Sequence, residues 1–160
     1  MNAAHLHIVL VHLPVVLVPT ATIVLLLALL RKQSSVAKVA LSLFVTASLF
    51  ILPAFLIGEE AEEMIEHLPG IFEETIEEHA ESANTAFWLT LAVGGIAMCS
   101  LTLQKRAPHL TQSALRFLVV AGTLTSGSLA YTAYEGGKIR HPEAYERSGQ
   151  PEHSEEHEHD

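Results

Sequence analysis

Four stretches of the chain contain no lysine, arginine, aspartate or glutamate: Ile8 to Leu30, Val39 to Ile57, Ser82 to Leu103 and Phe117 to Tyr134. They run for 23, 19, 22 and 18 residues. A hydrocarbon core of about 30 Å takes roughly 20 helical residues to cross, so each stretch predicts a transmembrane helix. Buried helices of a soluble protein are the alternative, but four uncharged windows in 160 residues leave too little polar surface for solubility. The pattern predicts an all-α fold, a four-transmembrane-helix up-down bundle.

Between the second and third windows the helical pattern continues past the bilayer. Glu59, Glu62, Glu63 and Glu66 recur at helical spacing, while Ile57, Ala61, Met64 and Leu68 form a separate apolar stripe. Leu68-Pro69-Gly70 reads as a turn. Beyond it Phe72, Ile76, His79, Ala83, Ala86 and Thr90 repeat at steps of four and three, which is a helical seam. These features predict a helical hairpin extension of helices two and three outside the membrane. Its arms should hold about 10–12 residues, roughly 15–18 Å at 1.5 Å per residue. Folding it about Gly70 puts His79 opposite Ala61, within reach of Glu60 or Glu62.

Within the spans, Pro14 and Pro19 interrupt the first helix and can bend it. Gly94-Gly95 and the stripe Gly122, Ser126, Ala130 predict close helix packing. Trp88, Tyr131 and Tyr134 lie near the outer ends of their spans, where aromatic side chains favour the interface. Gly136-Gly137 is expected to stop the fourth helix.

Composition sharpens this picture. The chain is 49% hydrophobic with a mean hydropathy of +0.33, yet its net charge is −9. Six of the nine basic residues, Arg31, Lys32, Lys38, Lys105, Arg106 and Arg116, fall in the first and third connections. Lysine and arginine in short loops stay inside. The N-terminus, the 58–81 connection and the C-terminus are therefore expected outside, in the periplasm for a protein of the bacterial inner membrane. All 18 acidic residues and nine of the ten histidines, counting His12 just within the bilayer, lie on that outer side. Acidic residues contribute little to orientation, so this second asymmetry needs a chemical explanation.

The leader Met1 to His7 lacks basic residues and its apolar run is long for a cleaved signal, so the first helix is expected to be retained. Cys99 is the only cysteine, which precludes an intrachain disulfide. No hydrolase triad or phosphate-binding glycine loop is visible. The acidic face would repel nucleic acid. The reading leans away from an enzyme.

His5 and His12 are seven residues apart and return to nearly the same helical face, while His7 is expected to point elsewhere. His79 sits in the seam of the third helix. Glu59 and Glu62 end the second, and His141 follows the fourth. Imidazole with carboxylate suits transition metals, and four-helix bundles build such sites from facing side chains. The expected metal ligands are His5, His12, Glu59, Glu62, His79 and His141, holding Zn, Fe or Cu. The alternative is haem b, with His12 and His79 as axial ligands. The ferritin-like pairs of Glu-x-x-His are absent, since Met64 and Ile76 precede His67 and His79 by three. A solvated glutamate face and an interfacial or salt-bridged histidine are the bland readings of the same residues. The segment 144–160, which ends in HSEEHEHD, is expected to be a disordered acidic, histidine-rich tail that captures metal weakly, outside a membrane domain spanning 1–143.

The motifs HIVLVHLP at 7–14, GEEAEE at 58–63, IEEHAESA at 76–83 and GGKIRHPE at 136–143 resemble a bacterial four-helix integral membrane family of unknown function. That resemblance covers most of residues 5–143 and implies the four-helix topology. It points to His12, Glu59, Glu62, His79 and His141 as matching positions. Its members often carry Asn before the first-helix histidine, where this chain has Val11. Some similar domains are joined to iron–sulfur domains of Rieske type, which implies membrane redox chemistry. The expectation is a membrane protein in metal handling or a redox accessory role, partnered by the lipid bilayer and by a redox or metal-handling membrane complex, with homo-oligomers allowed. A cofactor-free structural or assembly subunit is the remaining reading.

Overall fold

The computed structural model describes residues 2–104 and 106–141, without the side chains of residues 108–110. The tail from 144 onward lies outside the described residues. Four helices follow in order: α1 (Ala3–Leu30), α2 (Ser34–Glu63), α3 (Glu73–Leu103) and α4 (Pro108–Arg140). All four are long and apolar enough to cross a membrane. Each packs on its chain neighbours, and α1 closes against α4, so α1 and α3 stand diagonally across the bundle.

The core is a column of small and medium side chains. Val18, Ala21 and Leu25 of α1 meet Ala40, Phe44 and Ala47 of α2, Ala97 of α3 and Leu118 of α4, all fully enclosed. Large apolar residues such as Val16, Ile23, Leu56 and Val120 face outward, which is the arrangement that lipid contact permits. Gly94 lets α3 approach Ser48 of α2, and Gly122 lets α4 approach Thr22 and Phe44. Gly95, by contrast, faces open space.

The helix ends follow from local chemistry. The Asn2 side chain caps α1 by accepting the His5 amide at 2.9 Å. α1 closes with Lys32 in the left-handed region (φ 54°). There the Gln33 amide donates to the Ala28 carbonyl and the Lys32 amide to that of Leu29, a Schellman arrangement. α2 stops at Glu63, sooner than the expected hairpin arm. Glutamates gathered at a helix C-terminus oppose its dipole, and turns take over from Met64 to Gly70, where Gly70 adopts φ 85°. Glu73 and Glu74 instead suit the first turn of α3.

The expected stop at Gly136-Gly137 does not occur: α4 runs on to Arg140. Lys138 and Arg140 in its last turn favour the negative helix end. Lys138 also grips Glu135 one turn back, at 2.6 Å, and Glu78 of α3 at 3.2 Å. Glu135 is 1% exposed. This three-residue bridge ties the extended end of α4 to α3.

Candidate functional site

At the acidic end of the bundle the four helices enclose a cavity of about 470 Å³. α1 presents His7, Val11 and Pro14 to it. α2 contributes Glu59 and Glu62, α3 contributes His79, and α4 contributes Leu129 and Thr132. Phe55 forms part of the wall and stacks on Phe87, with ring centroids 4.2 Å apart. Most of the lining is apolar.

Two imidazoles meet in this space. The rings of His7 and His79 lie 6.5 Å apart between centroids, with their planes at 82°. Each is held by a carbonyl of an adjacent helix: His7 Nδ1 lies 2.9 Å from the Ala54 oxygen, and His79 Nδ1 lies 3.1 Å from the Thr132 oxygen. A carbonyl only accepts, so each Nδ1 carries the proton and donates it. In the neutral imidazole each Nε2 then keeps its lone pair, the state that a metal-binding imidazole needs. Gly136 makes room for the His79 ring, whereas the approach of Gly58 to His7 is an ordinary contact. A Cβ at Gly136 would lie 3.1 Å from His79 Cε1, and one at Gly58 would lie 3.5 Å from His7 Cε1.

The carboxylates line the same cavity. Glu59 is exposed and Glu62 half-buried. Glu62 lies beyond the second charge-free window. Its burial raises the carboxyl above its ordinary range, and the neighbouring charges of Glu59 and Glu66 add to the effect.

Of the expected ligands, the structure brings Glu59, Glu62 and His79 to one cavity. It does not bring His5, His12 or His141 to the lining. His5 and His12 face outward. The His12 ring turns back to the Ile8 carbonyl of its own helix, and His141 ends α4. His7 takes the place given to His12. The reason is the seam of α1: Pro14, Val18, Ala21, Leu25 and Ala28 are buried, and stepping back from Pro14 by three and four reaches Val11 and His7. His12 is off that line. The seam could have been traced upward from its small residues, but α1 is apolar on every side and marks no inner face by contrast. Among the described residues, no group of three histidine, cysteine or carboxylate side chains is placed to hold a metal ion.

A family model described as predicted membrane protein (DUF2231) matches residues 3–143. The chain belongs to this family. Comparison with curated proteins and with solved structures returned no match. Membership in DUF2231 accords with the four membrane-length helices and assigns no reaction.

Proposed function

We propose that the DUF2231 chain holds a transition-metal centre in the cavity between His7 and His79, through the two Nε2 atoms, and serves as a membrane redox or metal-handling protein. The observation that carries this reading is the pair of imidazoles, each locked as a donor at Nδ1 and 6.5 Å apart between centroids. Metal–nitrogen bonds of about 2.0–2.1 Å on either side of one centre suit two rings at about this spacing.

The cavity favours a centre that brings most of its own ligands. Among the described residues two imidazoles converge, and the walls around them are largely apolar. Haem b asks for two axial nitrogens and an apolar slot, and it would supply one-electron chemistry. His7 and His79 are the two residues that would hold it. A bare Zn, Fe or Cu ion is the second form. It is favoured by Glu59 and Glu62 on the same lining, one of which would have to move in to complete the set.

The test is an absorption spectrum and metal analysis of the full chain, purified in detergent from cells supplied with iron and haem precursor. A Soret band with stoichiometric iron supports the haem form. A colourless protein with one ion per chain supports the bare site. A colourless, metal-free protein that also fails to take up either added group overturns the proposal and leaves the cofactor-free subunit reading.

A further inference from the structure

A second cavity, of about 540 Å³, opens at the opposite end of the bundle. Lys32, Lys38 and Arg116 line it together with Gln33 and Gln104, above an apolar floor that includes Leu41 and Leu115. No carboxylate lines it, and every acidic residue of the described helices belongs to the other end. None of the three cations enters a salt bridge among the described residues. Three cations around one hollow repel one another, and a bound anion would reverse that term.

Each cation is placed by a different element. Lys32 occupies the left-handed position that closes α1. Lys38 stands just beyond the first turn of α2, and Arg116 lies early in α4. α2 begins at this mouth, and Gln33, its N-cap, makes no side-chain hydrogen bond to the first-turn amides, so the positive end of that helix adds to the field. The depth is also specific. The charge-free windows end at Leu30 and begin at Val39 and Phe117, which sets the cations at headgroup level. Basic pockets between transmembrane helices at that level take anionic headgroups.

We infer that this cavity is a phosphate-binding site, filled by the headgroup of an anionic phospholipid or by free phosphate at the same surface. The inference is independent of the imidazole cavity. Its test uses the full chain in mixed micelles containing phosphatidylglycerol or phosphatidylcholine, with inorganic phosphate in detergent alone as a third arm. Retention is read by native mass spectrometry and stability by thermal unfolding. Phosphatidylglycerol should be retained and raise the unfolding temperature, and phosphatidylcholine should do neither. The double variant K38Q/R116Q should weaken retention by about tenfold or more, and the single variant K32Q by a smaller factor. R31Q and R106Q remove charges from the same end but outside the lining, and should change little. Inorganic phosphate that protects at millimolar concentration with the same variant pattern identifies free phosphate as the source and supports the site. Equal losses in R31Q and R106Q would mean general surface attraction and overturn it. So would equal retention of the two lipids with no effect of phosphate. Helical circular dichroism of each variant confirms that the fold is kept.

Discussion

His7 and His79 reach each other across the diagonal of the bundle, edge to face at 6.5 Å, although 71 residues separate them in the chain. Neither ring is held by its own helix. Ala54 of α2 fixes the first and Thr132 of α4 fixes the second, so all four helices share in placing two nitrogen lone pairs. A pair positioned in this way is oriented before any ligand arrives, which lowers the ordering cost of binding.

H7N and H79N test the pair directly. Asparagine can keep an N–H near the position of Nδ1 but has no counterpart of Nε2. Each variant should fold, with an unfolding temperature within a few degrees of the parent, and lose at least about tenfold in affinity for the proposed centre. H5N and H12N should leave binding unchanged, since neither ring lines the cavity. Haem titration and metal analysis of the four proteins give the comparison. Loss in H12N with retention in H7N would reverse the assignment.

Much of the fold was legible because a charge in a hydrocarbon core is costly, and four windows stood out without any need to read periodicity. The seam through Ile76, His79, Ala86 and Thr90 was also legible, because α3 carries polar residues on its other faces at the outer end. The inner face of α1 was not. With Val, Leu and Ile all round it, only the buried small residues and Pro14 mark the seam that leads to His7. The bridge from Lys138 to Glu78 and Glu135 was hidden for a different reason. Gly136-Gly137 reads as a helix stop, and only the packed structure shows Gly136 kept small by the His79 ring.

Gly136 and Gly58 should respond differently to alanine. In a helix this exchange gains about 0.5–1 kcal/mol from backbone entropy. At Gly58 the new methyl meets His7 at 3.5 Å, an ordinary contact, so G58A should be stabilising by about that amount. At Gly136 the methyl meets His79 Cε1 at 3.1 Å and Nδ1 at 3.3 Å. The ring must shift away from the Thr132 carbonyl, at a strain cost that offsets the entropic gain to within about 1 kcal/mol. G136A should therefore show near-parental thermal stability but weaker binding at the imidazole cavity. Equal binding in both variants would show that His79 tolerates the shift.

Gly94 and Gly95 are adjacent but do not share a role. A Cβ on Gly94 would run into the Cβ and Oγ of Ser48, while one on Gly95 would touch nothing. G94A should force α2 and α3 apart and destabilise by about 1–3 kcal/mol. G95A should be neutral or slightly stabilising. Thermal unfolding in a single detergent decides the matter, and similar losses in both would contradict the close approach at Ser48.

The bridge at the end of α4 makes an unequal prediction for its three members. Glu135 is enclosed, and its ion pair at 2.6 Å goes to Lys138. Glu78 is half exposed and adds a longer contact at 3.2 Å. An exposed ion pair contributes little, whereas an enclosed carboxylate that loses its cation and keeps the Tyr131 hydroxyl is still costly. K138M should thus lower the unfolding temperature at least about twice as much as E78Q. The double variant E135Q/K138M should recover part of the K138M loss, because it removes the stranded charge along with its partner. The recovery is the discriminating readout. If E135Q/K138M is as unstable as the sum of its single variants, Glu135 and Lys138 act independently and the enclosed pair does not hold α4 in its extended course.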